Sequence, residues 1–351
     1  MRIAIKWDDV VVDPQGHIAG HAAGDTLVRR LVRVFDHPIV IGPASRHCDD
    51  FDVLPLELVD ARDVVVINMD VVDSPQIWRV LSKQNVEPRI MNFVWWPVRP
   101  DAPTVRAASV ALSCTLFPTF ANSERTATEV RETIGKWTVQ PLSEHARLGW
   151  VNLGFRLDHI QPRQPSDLPI VLYPAIYLSR NKRPDVFLQV VDKVRRRIPL
   201  RVEMRLHESH LVTEEAMDIS RHDWVWLGPL TATRKSYWEA LAHTTAFLAT
   251  AENESYGMLY VEALGAGVVG VLPDHEWAHA LVPEGYPFFY HDLHEAEEML
   301  TRALQDPDAC RQELDACAGG SFASWIADHH SDDAFDKAVV ARVDEWFGGT
   351  K

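Results

Sequence analysis

The chain of 351 residues contains no run of eighteen apolar residues, so no segment has the length and composition of a membrane-spanning helix. Its first residues, MRIAIKWDDVVV, carry one Arg and one Lys, but Asp8 and Asp9 arrive before a signal-peptide core forms, and the stretch reads as the first strand of a cytoplasmic protein. Four cysteines, Cys48, Cys114, Cys310 and Cys317, lack metal or redox spacing and sit in apolar contexts, which predicts reduced core thiols. Basic charge is short: 35 Lys and Arg face 50 Asp and Glu, a formal net charge of −15. Residues 1–150 hold 16 basic against 19 acidic residues, a balance of −3 that leaves −12 for the remainder. A field of that sign repels nucleic acid and anionic membranes, so a phosphate bound in the second half needs cations and amides placed for it. There are no repeats and no low-complexity tract. LHESH at 206–210 is not a zinc-protease motif, since its histidines are three apart and no helical pattern surrounds them. No metal and no cofactor is expected.

What is present is an alternation of strands and helices. MRIAIKW, HPIVIG, DVVVINMD, RIMNFVWW and TLFPTFANS read as strands, and Asp25–Phe35, Pro75–Asn85 and Glu124–Ile134 as helices. Such alternation predicts a parallel sheet covered on both faces. GWVNLGFRLDHIQPRQPSDLP, at 149–169, breaks the pattern with three prolines and reads as a linker. The alternation then resumes. LPIVLYPAIYL, PLRVEMRLH, WVWLG, TAFLATA and VVGVLP are strands, with helices over Asp185–Arg197 and Lys235–His243; beyond Asp306 the chain is mostly helical. Its last helix, SDDAFDKAVVARVDEWF, starts well with Ser331 and two acids. The length suits two domains, each with its own core.

The most informative stretch is ENESYGMLYVEALGAG, 252–267. TAFLATA brings the chain into a sheet, Gly257 permits a sharp turn, and MLYVEAL is compact and helical. The first free amides of that helix, near Gly257, Met258 and Leu259, would point at the crevice beyond the strand ends, and helix N-termini attract phosphate. Glu254 precedes the turn and Glu262 lies more than one helical turn beyond it. Two carboxylates flanking amides suit an extended ligand with hydroxyls at both ends and phosphates between.

Glu254 and Glu262, with Ser-Tyr-Gly after the first and Glu-Ala-Leu-Gly-Ala-Gly around the second, resemble the signature of retaining nucleotide-sugar glycosyltransferases of the GT-B fold, family four, in the superfamily of glycogen synthase and sucrose-phosphate synthase. VWLGPL, NKRPDVFLQVV and PTFANSERTATEV are similar to further family segments, in the family's order. The resemblance is strong from about 170 to 275 and weak before 90. It implies two doubly wound Rossmann-like domains facing across a cleft. The expected boundaries are 1–155 for an acceptor-binding domain, 165–330 for a nucleotide-sugar domain, and 331–351 for a C-terminal helix crossing back to the first.

It further implies that Glu254 faces the donor sugar, Glu262 the ribose, the amides from Tyr256 through Gly257 and Met258 to Leu259 the diphosphate, Lys182 a phosphate oxygen, and Leu230 the base. The family's Gly-Arg pair before that lysine is absent: Ile176 and Tyr177 stand there, so Arg180 or Arg183 is expected to supply the second cation, Arg180 first. In the N-terminal half, the loop DPQGHIAGHAAGDT places Gly20 and His21 near the donor phosphates. Asp70 at a strand end and Trp95 or Trp96 at the next are acceptor-side candidates, an indole stacking on a sugar ring. The implied reaction moves a sugar from a nucleoside diphosphate, of UDP or GDP type, to a hydroxyl with its configuration kept. The acceptor is a small glycoside, a glycan or a modified nucleic-acid base. A non-catalytic binding subunit and a sugar-phosphate phosphorylase are the other readings.

Overall fold

The computed structural model describes residues 1–20, 22–98, 102–230 and 235–348. The chain divides into two compact units, Met1–Asn152 together with the chain from Ala334, and Leu153–Asp333.

The first unit is built on an eight-stranded sheet. In chain order its strands are β1 (Arg2–Lys6), β2 (Ile39–Ile41), β3 (Arg46–His47), β4 (Asp52–Leu54), β5 (Val64–Asn68), β6 (Arg89–Val94), β7 (Thr119–Ala121) and β8 (Leu148–Trp150). They lie in the order β3-β4-β2-β1-β5-β6-β7-β8, parallel except for the β3–β4 pair. The central strands are buried apart from the first residues of β1 and β6, Arg2 and Arg89, and VVVIN of β5 is buried throughout, as a sheet covered on both faces requires. From Ala334 the last helix, Asp332–Phe347, belongs to this unit: Phe335 is fully buried against Phe93 and Phe120, with ring centres 6.0 and 6.3 Å away. The Arg30 guanidinium lies over the Phe335 ring at 4.2 Å.

The second unit carries β9 (Ile170–Tyr173), β10 (Arg201–Leu206), β11 (Val225–Pro229), β12 (Ala246–Leu248), β13 (Val269–Pro273) and β14 (Phe289–Tyr290). They form one parallel sheet in the order β11-β10-β9-β12-β13-β14. Helices Pro184–Arg195, Met258–Gly265 and Leu293–Gln305 cover it.

Several elements differ from the sequence reading. Helix Thr104–Leu116 is unannounced by periodicity, because in TVRAASVALSCTL apolar and small polar residues are mixed round the helix without a clear apolar stripe. The strand expected from Thr115 begins only at Thr119, after Pro118, which has no N–H for a ladder. Pro174 ends β9 for the same reason. The start of the expected linker is ordered as β8, and two-residue strands such as β3 and β14 fall below any pattern. LHESH leads into a single helical turn, Glu208–Leu211, where none was expected; the His207 ring caps it by accepting from the Ser209 amide. All four cysteines are free thiols, three of them buried. No helix among the described residues is long and apolar enough to cross a membrane.

Candidate functional site

β9 and β12 lie side by side, Ala246 opposite Val171 and Phe247 opposite Leu172. The sheet grows from β9 toward β10 on one side and from β12 toward β13 on the other. Strand order therefore reverses between them, and in open α/β sheets ligands collect beyond the carboxyl ends of the strands at such a point. Both strands lead into helices there, Pro184–Arg195 after β9 and Met258–Gly265 after β12.

The turn into the second helix requires Gly257. Its φ of 87° lies in the left-handed region, and a Cβ would stand 2.7 Å from Cδ2 of Tyr260. No side chain caps this N-terminus. The amides of Met258 and Leu259, first in the helix, have no acceptor within it by helix geometry, and they sit in half-buried residues at the positive end of the dipole. Arg183, the residue before the other helix, is also left-handed, at φ 49°.

Side-chain hydrogen bonds fasten the two loops together. Asn181 Nδ2 donates to the Asn253 carbonyl at 2.9 Å, while Asn181 Oδ1 accepts from the Asn253 amide at 3.1 Å. The Glu252 amide donates to the Asn181 carbonyl at 2.9 Å, and Thr250 Oγ1 to that of Lys182 at 2.7 Å. The clamp sets Lys182 against Glu254: Lys182 Nζ bonds Glu254 Oε1, and the Tyr260 hydroxyl donates to the same oxygen at 2.9 Å. Lys182 Nζ also stands 5.8 Å from the centre of the Tyr260 ring. Burial drives the Tyr260 hydroxyl well above its ordinary pKa and the Glu254 charge adds to this, so Tyr260 stays a donor.

The same loop is held from behind. The Tyr256 hydroxyl lies 2.6 Å from His330 Nδ1, and His330 Nε2 lies 3.1 Å from the Leu281 carbonyl. A carbonyl only accepts, so Nε2 carries the proton and Nδ1 accepts from Tyr256. Burial holds the His330 pKa down at about 4, which keeps the ring neutral.

Of the residues singled out in the sequence, Lys182, Glu254, Gly257, Met258 and Leu259 come together here. Glu262 lies in the part of the helix, 260–265, that is buried on every side, and is only 3% exposed. Tyr256 is buried behind the turn. Arg180 is exposed on the β9 loop and makes no hydrogen bond or ion pair among the described residues; Arg183 Nε is 4.0 Å from Glu252 Oε1. Tyr177, where the resemblance expects arginine, lies between the rings of His207 and His210, at 5.5 and 5.1 Å. Leu230 follows β11, its amide donating to the Leu206 carbonyl at 2.9 Å.

In the first unit, Gly20 has φ 87°, and a Cβ there would meet Asp25 Oδ2 at 2.3 Å, so local packing alone calls for glycine. His21 lies outside the described residues. Asp70 is engaged with Lys6 Nζ at 3.0 Å and the Asp8 amide at 2.7 Å, and burial raises its pKa. Trp95 stands edge-on to both Trp7 and Trp96, at 6.1 and 6.0 Å. Trp96 lines a cavity of about 260 Å³ with Pro97, Val98, Ala102 and Arg106. Asn181, Thr250, Tyr260 and His330 escaped the sequence reading. Asn181 adjoins Lys182, but nothing in the chain announces partners over seventy positions away.

No known protein family's sequence profile matches the chain, and no curated protein matches it. Solved structures do. A glycosyltransferase from Rickettsia africae ESF-5 is 11% identical, each chain covered over 99%, with a TM-score of 0.72. Sucrose-phosphate synthase from Thermosynechococcus elongatus is 12% identical over 99% of this chain and 100% of that one, with a TM-score of 0.70. HepE from Anabaena, in complex with UDP and glucose, is 13% identical over 98% and 100%, with a TM-score of 0.69. At such identities the likeness shows the fold, which is GT-B.

Proposed function

We propose that this protein is a retaining glycosyltransferase that moves a hexose from a nucleoside diphosphate to an acceptor hydroxyl. The observation that carries the reading is the meeting of the uncapped Met258 helix start with the Lys182–Glu254 pair at the strand switch point. Amides at a helix N-terminus hold a diphosphate, and a carboxylate beside them takes sugar hydroxyls. Glu254 faces the donor sugar. Lys182, with Arg180 or Arg183 in place of the missing arginine, neutralises the phosphates. Glu262 is assigned to the ribose and Leu230 to the base.

In this reaction the acceptor oxygen bonds to the anomeric carbon as the bond to the diphosphate breaks on the same face, and the acceptor proton passes to a departing phosphate oxygen. The chain's task is then electrostatic. Cations and amides aimed at the leaving diphosphate stabilise the charge that develops on it, and no protein nucleophile is needed. HepE was solved with UDP and glucose, so a UDP-hexose is the first donor to test, with GDP sugars next. The acceptor side is assigned to Asp70, Trp95 and Trp96, with Trp96 as the stacking platform because it lines an open cavity. The acceptor classes are a small glycoside, a glycan or a modified base. Four free thiols fit a reducing compartment, and the reading places the protein in the cytoplasm.

The test is thermal-shift screening with UDP, GDP, ADP and TDP sugars, followed by an acceptor-free hydrolysis assay with the donor that binds. Slow hydrolysis with the configuration kept supports the reading. Binding without any turnover would identify a non-catalytic subunit instead, and no binding of any sugar nucleotide would overturn both.

A further inference from the structure

The edge of the first unit's sheet carries a cluster that the proposed reaction does not use. His47 on β3 and Asp52 on β4 face each other in antiparallel register. His37 lies two residues ahead of Ile39, which pairs with Asp52 on the other side. The pairing brings both rings to one carboxylate oxygen: His47 Nδ1 is 2.6 Å and His37 Nε2 is 3.3 Å from Asp52 Oδ1. The three ligating atoms all lie within 4.8 Å of one another, the one such group of three among the described residues.

Arg2 fixes the rest of the cluster. Its Nη2 donates to Asp52 Oδ2 at 2.8 Å and to the His37 carbonyl at 2.9 Å, so the carboxylate and the His37 main chain, with φ 40°, are both held. Asp36 beside His37, and Asp49 and Asp50 in the turn joining β3 to β4, are exposed and add negative charge.

We propose that His37 Nε2, His47 Nδ1 and Asp52 Oδ1 bind a divalent transition-metal ion of the zinc type, with water completing a tetrahedral set. Two imidazoles select such an ion over calcium or magnesium, which take oxygen ligands. The spacing fits. With metal–nitrogen bonds of about 2.05 Å, each ring centre stands roughly 3.2 Å from the ion and the two centres about 5.2 Å apart; here they are 5.3 Å apart. Ligating atoms around such an ion are about 3.3 Å apart, which His37 already satisfies. His47 has to withdraw from Asp52 by less than about 1 Å, and its 79% exposed side chain is free to do so. Arg2 then orients the ligating carboxylate from behind, as hydrogen-bonded partners of metal ligands do. The ion would tie the β3–β4 hairpin to the start of β2.

Tag-free protein stripped with a chelator is titrated with Zn²⁺ against a colorimetric competitor, and with Co²⁺ while the visible spectrum is recorded. The expected result is one equivalent of Zn²⁺, weakened at least tenfold by His47→Ala and by Asp52→Asn, and an intense tetrahedral Co²⁺ spectrum that both variants lose. Since His47 is so exposed, His47→Ala keeps its fold and remains decisive if Asp52→Asn does not. His291→Ala, in the separate group where His279 and His291 bond Asp274, serves as the control and leaves the equivalent in place. No bound equivalent, or one that His47→Ala leaves unchanged, would overturn the proposal and make the cluster a plain hydrogen-bonded one.

Discussion

Lys182 and Glu254, 72 positions apart in the chain, form an ion pair in which Glu254 Oε1 also accepts from Tyr260. The side chains are only 20% and 12% exposed, so the pair is little screened by solvent. The cation assigned to a phosphate is thus already occupied by the carboxylate assigned to the sugar. On the proposed function, a diphosphate arriving at the Met258 helix would compete with Glu254 for Lys182.

That competition separates binding from turnover. Glu254→Gln keeps the shape and hydrogen-bonding capacity but removes the charge, and we expect it to bind nucleoside diphosphate a few-fold more tightly. Transfer should fall by about a hundredfold or more. Calorimetry and steady-state kinetics on the same preparation check this, and a variant that loses binding and turnover together would be against it.

Lys182→Met should weaken diphosphate binding by about 1.5–3 kcal/mol, the usual contribution of a charge-assisted hydrogen bond. Arg180→Ala and Arg183→Ala distinguish the second cation, with the larger loss expected for Arg180, whose side chain is not engaged elsewhere among the described residues. Equal affinity in all three variants would remove the diphosphate from this turn.

Glu262→Gln tests the ribose assignment without opening a cavity at a position only 3% exposed. We expect about tenfold weaker nucleotide binding, near 1.4 kcal/mol, with turnover at saturating donor kept. A fall in turnover with unchanged binding would place Glu262 elsewhere in the reaction.

Gly257→Ala meets two penalties: a left-handed φ and a Cβ 2.7 Å from Tyr260. Together these should destabilise the second unit by about 1–3 kcal/mol, read as a lower melting temperature. Nucleotide binding should suffer beyond the stability loss, because the helix amides turn with the backbone.

His330 predicts a pH dependence. Its folded pKa of about 4 lies below the ordinary 6.5, so between these values the unfolded chain binds more protons and stability falls as pH falls. Going from pH 7 to pH 5, this one group should cost about 2 kcal/mol. His330→Gln should flatten that part of the profile in urea titrations at the two pH values. An unchanged slope would show that His330 does not titrate as its burial implies.

Much of this was legible in the residues themselves. Period-two and apolar runs located β1, β5, β6, β10 and β13, Ser331 and its acids marked the last helix, and Glu254-Ser-Tyr-Gly257 marked the turn. Helix Thr104–Leu116 was missed because its apolar and small polar residues are spread round the helix and leave no strong period to detect. The short strands β3 and β14 owe their existence to neighbours, since two residues carry no pattern of their own.

By itself the sequence determined what depends on near neighbours: where strands and helices alternate, and where a glycine permits the turn from β12 into its helix. Which distant groups meet was decided only by tertiary structure. Strand order brings the loops after β9 and β12 together, and with them Asn181 to Asn253 and Lys182 to Glu254; the register of β2, β3 and β4 brings His37 and His47 to Asp52. The physical reason is that local propensity acts within a few residues, while these contacts close loops of many residues and form only when two cores have packed.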